Sequence, residues 1–251
     1  MSFTHLLEIE RPLPLSQLSK AQVRELQHAL STLGYPLGDL DGLVGPKTRS
    51  ALAEFKADVV EGHPDTVGPQ TVALLEQMVG RIHTGGVDDF STRDGTIAAI
   101  VRQCHAQALT LTTQIAYVLA TTEWETNKTF KPVVEAYWLR NAEAWRKRNL
   151  RYWPYHGRGY VQLTWKNNYQ KYADLLGVDL VRQPDLACVP QHACFILVHG
   201  FRTGTFTGRR LTDYIDDMRC DYVNARRCIN GLDRAHDIAR LAERHARALG
   251  G

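Results

Sequence analysis

The 251 residues of this chain, 44% apolar and 23% charged, exclude an intrinsically disordered protein and suffice for one large domain or a small domain plus a medium one. The formal net charge of +3 conceals an asymmetry, since residues 1–84 hold 7 basic and 10 acidic side chains and residues 85–251 hold 23 and 17. The second half is the one that would meet an anionic partner, whether nucleic acid, anionic lipid or a wall polymer, although a solvated basic face gives the same count. No run of about 18 apolar residues is present, so no membrane-spanning helix is expected. The first ten residues, Met1 to Glu10, are too polar for a secretory signal and predict a protein made, and first held, in a cytoplasm.

Val23, Leu26, Gln27, Leu30 and Leu33 recur at helical spacing and Gly34 follows as a stop, which predicts a first helix. Val44-Gly45-Pro46-Lys47-Thr48 then recurs in outline as Val67-Gly68-Pro69-Gln70-Thr71. Each copy offers a turn glycine, a proline where the first helical turn tolerates it, and an amphipathic run after the threonine. Residues 14–80 therefore read as three short helices around one small core. Residues 81–95, which include Gly85-Gly86-Val87-Asp88-Asp89, read as a linker. From residue 96 to 251 helical spacing dominates, first over Ile97, Ile100, Val101 and Cys104, then over Leu111, Ile115, Val118, Leu119 and Thr122. The fold class is mainly α, with an α-rich second domain built around an elongated cleft.

The run from Pro154 to Tyr169 carries the strongest chemical signal. Gly157 and Gly159 flank Arg158, the polar side chains of Gln162, Thr164 and Asn168 follow, and Tyr155, Tyr160, Trp165 and Tyr169 supply aromatic faces. Aromatic rings that stack on sugar faces, beside groups that hydrogen-bond hydroxyl and N-acetyl substituents, are what a polysaccharide cleft requires. Hydrolysis of a glycosidic bond needs one carboxylic acid to protonate the leaving oxygen and one carboxylate to activate water or attack the sugar. Glu123, Glu125 and Glu135 compete for these roles. Glu123 and Glu125 fall on opposite edges of one apolar helix face, and periodicity does not choose between them. Glu135 follows Pro132, which disfavours helix and opens a loop or a new element.

Two resemblances sharpen this reading. Val23-Arg24-Glu25-Leu26-Gln27, Leu33-Gly34-Tyr35, Asp41-Gly42, Gly45-Pro46-Lys47-Thr48 and Ala51 through Phe55 resemble the three-helix peptidoglycan-binding domain carried by many cell-wall hydrolases. Trp124-Glu125-Thr126, Phe130 through Glu135, Gly157 through Tyr169 and Ile229-Asn230-Gly231 resemble glycoside hydrolase family 19, a family of chitinases and phage lysozymes. That resemblance implies a lysozyme-like domain with Glu125 as general acid and Glu135 as general base. It implies Thr164 as a helper that places the water, and Gln162, Asn168 and Asn230 as substrate ligands, with Arg240 matched more loosely. Arg158 and Tyr160 lie in the same motif and are taken as cleft residues; pairing of Arg158 with a carboxylate in the cleft wall is the structural alternative. The family commonly has His before its acid, and Trp124 stands there in this chain, which keeps Glu123 in contention. Members invert the anomeric centre, so the resemblance implies carboxyl groups roughly 6.5–9.5 Å apart in the closed state. A glutamate emerging from an apolar helix face would be poorly hydrated and would hold its proton, as an acid must.

The remaining features point to no second chemistry. The ten histidines form no recognised metal motif, and Cys188, His192, Cys194 and His199 lack convincing ligand spacing, so neither metal nor cofactor is expected. The five cysteines read mainly as small buried apolar residues, with Cys188–Cys194 or Cys220–Cys228 bridges as the alternative in an oxidising space. Asp233 to Leu249 reads as a basic amphipathic helix that packs on the domain or meets an anionic surface. Together these readings favour a modular, monomeric endolysin that binds peptidoglycan and cuts the β-1,4 bond between N-acetylmuramic acid and N-acetylglucosamine. It would wait in the host cytoplasm until a holin opened the way to the periplasm and wall, with no nucleic acid and no stable membrane insertion in its cycle. A chitinase of the same family, a non-catalytic wall-binding virion protein and a peptide-cleaving wall enzyme are the alternatives.

Overall fold

In the computed structural model, which describes residues 3–59, 62–84 and 88–250, the chain divides into two units, Met1–Gly86 and Val87–Gly251. The first unit is set by its caps. Ser19 accepts the Gln22 amide while the Gln22 side chain accepts the Ser19 amide, a reciprocal pair that starts helix α1 (Lys20–Thr32). Pro46 and Pro69 open α2 (Pro46–Val59) and α3 (Pro69–Thr84), as the repeated turn-to-helix pattern predicts. Leu26, Leu30, Leu52, Phe55, Val67 and Leu75 form the middle of the core. Strand β1 (Leu13–Pro14) pairs antiparallel with β2 (Thr66–Val67) and ties the start of the unit to the turn before α3.

This core reaches further toward the amino terminus than residue 14. Phe3, Leu6 and Ile9 are buried in it, held by the Glu25 carboxylate, which accepts the amides of Thr4, His5 and Leu6 at the start of a 3-10 turn over Leu6–Glu8. The expected linker is also shorter than 81–95. Helix α3 continues to Thr84, and Thr92 caps the next helix by accepting the Gly95 amide, while Gly85, Gly86 and Val87 lie outside the described residues.

The second unit is organised around a buried helix. Helix α5 (Thr112–Glu125) is buried at every position from Gln114 to Glu123, so it has no solvent face along most of its length. It packs against α4 (Arg93–Ala106), α8 (Pro190–Thr203) and α9 (Ala235–Ala248). Tyr117 from α5 meets Phe201 edge to face at 5.9 Å and stacks on Tyr222 at 6.0 Å. Helix α9 takes the packing role of the two read for it, burying Ala235, Ile238, Ala239 and Ala242 with its arginines outside.

Between α5 and α8 the chain forms the two-strand ladder of β3 (Val133–Val134) and β4 (Arg158–Gly159), then helix α7 (Lys166–Leu176). Helix α6 (Ala142–Asn149) lies within the excursion between the two strands and buries no residue. The cysteines are all free thiols; Cys104, Cys194 and Cys228 are buried as read, but Cys220 is exposed.

The first unit depends on one buried polar side chain. Gln27 is 2% exposed and donates to Asp41, to the Leu43 carbonyl and to Thr48, while its oxygen accepts the Gly42 amide at 2.8 Å. Replacement by an apolar isostere leaves buried polar groups unpaired, each costing about 1–3 kcal/mol. Gln27→Leu is expected to lower the unfolding free energy of the first unit by about 3 kcal/mol, read as earlier urea exposure of α1 amides by hydrogen exchange in the full chain, with the second unit unchanged.

Candidate functional site

The β3–β4 ladder positions the first acid. Its register pairs Val133 with Gly159 and Val134 with Arg158, and continues to Glu135, whose amide donates to the Gly157 carbonyl at 2.8 Å. The Gly157 amide donates back to Glu135 Oε2 at 2.8 Å, and the Tyr152 hydroxyl donates to Oε1 at 2.9 Å. Both carboxylate oxygens are thus anchored, with lone pairs to spare for a further donor. Burial, then the hydrogen bond to Glu135, pushes the Tyr152 phenol up to about 12, so it stays a donor. Gly157 lies against the Gln162 side chain: a Cβ there would lie 2.5 Å from Gln162 Oε1, so that side chain would have to shift.

Glu125 ends α5, and the structure gives it a partner that the sequence does not announce. Arg226, 5% exposed and 101 residues away, donates from Nη1 to Glu125 Oε1 at 2.8 Å, and its Nε reaches the Asp233 carbonyl. The apolar surround expected for Glu125 is therefore wrong: a guanidinium faces it. Among the described residues Glu125 Oε2 makes no hydrogen bond.

Glu123 has a different environment. Its carboxylate accepts from Arg244 and from His245, at 2.6 and 2.7 Å, and Arg93 lies at 4.0 Å. Burial alone would raise its pKa, but Arg244 and His245 outweigh it and hold the carboxyl below its usual value. It cross-links α5 to α9, with both oxygens paired and its side chain 4% exposed.

Gln162, Thr164 and Asn168 line one cavity of about 230 Å³ together with Trp165, Phe206 and Ile229. Gln162 is aimed by a hydrogen bond from Nε2 to the Val133 carbonyl, and Asn168 Nδ2 donates to the Thr164 carbonyl at 2.9 Å. The Thr164 hydroxyl makes no hydrogen bond among the described residues. Gln162 and Trp165 both hold positive φ, 56° and 72°, a conformation that costs non-glycine residues about 1–3 kcal/mol and that clusters at functional sites.

The other expected cleft residues fall elsewhere. Arg158 is 6% exposed and uses its donors on Asp185, the Pro154 and His156 carbonyls and the Tyr169 hydroxyl, so it supports the loop from behind. Tyr160 is 1% exposed and has no face to offer a sugar. Asn230 is exposed, with Oδ1 accepting the Gly231 amide, while its neighbour Ile229 lines the cavity. Arg240 pairs with Asp237 and borders a separate cavity of about 390 Å³ beside Glu123, Trp124 and Lys128, away from Gln162 and Thr164. Sequence reasoning missed Arg226 and the anchoring role of Tyr152; the adjacent arginines just before the Ile229-Asn230-Gly231 motif are the signal that was there to read.

Comparison with known proteins finds two partial matches. Residues 19–59, which span α1 and α2, match a family described as a putative peptidoglycan binding domain. Chitinase 11 of Oryza sativa subsp. japonica is 64% identical over 33 residues, a match that spans 13% of this chain and 13% of the rice protein.

The loop behind Glu135 generates a pH dependence. His156 is 4% exposed, and burial, then the cations of Arg158 and Arg146, hold its pKa down to about 4 from an ordinary 6.5. The fold therefore favours the neutral ring, and this contribution is complete above pH 6.5 and disappears as pH falls toward about 4. The unfolding temperature of the second unit is expected to drop across that window, and His156→Gln to flatten the dependence; an unchanged slope in the variant contradicts the assignment.

Proposed function

We propose that the chain is a modular peptidoglycan hydrolase of the endolysin type, in which the first unit holds the wall and the second cuts its glycan. The observation that carries this reading is the anchored carboxylate pair. Glu135 is held through both oxygens by Tyr152 and the Gly157 amide, Glu125 is held through one oxygen by Arg226, and the chain near Arg226 contributes Ile229 to the cavity of Gln162 and Thr164. The match of residues 19–59 to a peptidoglycan-binding family supports peptidoglycan as the ligand.

The chemistry divides by environment. Glu125 Oε2 would face the glycosidic oxygen and, once sugar replaces water around it, carry the proton that the leaving group takes. Arg226 would then steady the carboxylate that remains. Glu135, with both oxygens fixed, would accept a proton from a water that attacks the opposite face of the sugar, and the Thr164 hydroxyl would orient that water. Gln162 and Asn168 would bind amide and hydroxyl groups of the chain. The product anomer would be inverted. In a lytic cycle such an enzyme would reach the wall through a holin-dependent route.

Chitin is the second reading, and the short stretch shared with the rice chitinase favours it. Digestion of purified sacculi by the wild type and by Glu125→Gln, with products reduced by borohydride and read by mass spectrometry, separates the two. The expected result is reduced N-acetylmuramic acid ends from the wild type and a loss of about 10³-fold in Glu125→Gln. Reduced N-acetylglucosamine ends alone, or activity on chitin oligomers without glycan cleavage in sacculi, overturn the muramidase assignment.

A further inference from the structure

Helix α6 has no packing role that explains it. It buries no residue, and residues 140–153 carry five cationic side chains against the single acid Glu143. Arg140, Lys147, Arg148 and Arg151 are exposed and make no ion pair among the described residues. Uncompensated like charges repel one another, and a solvated helix of ordinary composition would intersperse acids among them. This segment is nevertheless fixed, because Arg146 Nη1 donates to the Glu135 carbonyl at 2.8 Å.

Two of its cations sit over exposed aromatic rings, one of which lines the candidate cavity. The Arg151 guanidinium lies 4.9 Å from the ring centre of Trp165, which is 44% exposed and lines the cavity with Gln162 and Thr164. Tyr152, the ligand of Glu135, lies 5.2 Å from the same ring. Lys147 Nζ stands 5.4 Å from the ring of Trp153. A neutral sugar seeking the Trp165 face would have to displace Arg151. A sugar bearing a carboxylate would let the guanidinium move to the ring edge and pair with the acid, so the cation would favour that ligand.

We propose that Lys147, Arg148 and Arg151 form a carboxylate-reading rim of the cleft, which selects glycan strands with acidic substituents over neutral ones. The inference rests on the glycan-hydrolase reading and specifies its substrate class. The carboxylate could belong to the lactyl group of a muramic acid or to an attached stem peptide; both present the same group to the rim.

The test compares reducing-end release from three soluble strands of one glycan backbone: peptide-bearing, peptide-free with lactyl carboxylates exposed, and peptide-free with those carboxylates blocked as methyl amides. The wild type is expected to show kcat/KM roughly tenfold higher on an acidic strand than on the blocked one, mainly through KM, with the preference fading as salt rises from about 0.05 to 0.3 M. Lys147→Gln/Arg148→Gln/Arg151→Gln brings the ratio toward one, and Lys147→Arg/Arg148→Lys/Arg151→Lys keeps it. A preference confined to peptide-bearing strands assigns the stem peptide, and one shared by both acidic strands assigns the lactyl group. Wild-type cleavage of all three strands at equal rates, or an equal loss on all three in the glutamine variant, overturns the rim while leaving the hydrolase standing. Failure of the wild type on every strand removes the hydrolase and the rim together.

Discussion

The second unit depends on the two-way bond between Glu135 and Gly157. Backbone pairing there extends the β3–β4 ladder by one step, and the returning amide fixes the carboxylate that the same step delivers. One junction thus aligns a loop and orients an acid. The absence of a side chain at residue 157 also leaves the Gln162 side chain its place, since a Cβ there would force it to shift. Arg158, buried behind the junction, spends its donors on the loop carbonyls and keeps the following polar residues turned toward the cavity.

Helix α5 shows how one element serves stability and a site together. Glu123 and Glu125 lie about 200° apart around the axis and so meet different neighbours. Glu123 is enclosed by Arg244 and His245 of α9 and acts as an internal tie. Glu125, at the last turn, faces Arg226 from the segment just before Asn230. The resemblance to glycoside hydrolases favoured Glu125 on motif alone; of the two glutamates, only Glu125 keeps an oxygen without a hydrogen bond among the described residues.

What the sequence conveyed was local. The three helices of the first unit follow from apolar spacing and the repeated Gly-Pro-x-Thr turn, and the convergence of Gln162, Thr164 and Asn168 follows from one continuous motif. Features that depend on distant partners were not legible. The Arg226–Glu125 pair spans 101 residues, and no local period reports it. Arg158 in β4 and Tyr160 just after it look like cleft residues in a glycine-flanked run, yet both are buried. Phe3, Leu6 and Ile9 escape a helical template because they belong to a 3-10 turn and its flanks, closed by a distant glutamate.

The central claim is that Glu135 is anchored as a base that serves water, and does not bond to the sugar. Proton NMR of the anomeric region during the first minutes of hydrolysis of a soluble β-1,4 glycan strand tests it most directly. The account predicts that the α-anomer accumulates first and then relaxes to the equilibrium mixture. First appearance of the β-anomer would mean retention, a carboxylate acting as nucleophile, and a different division of labour between Glu125 and Glu135.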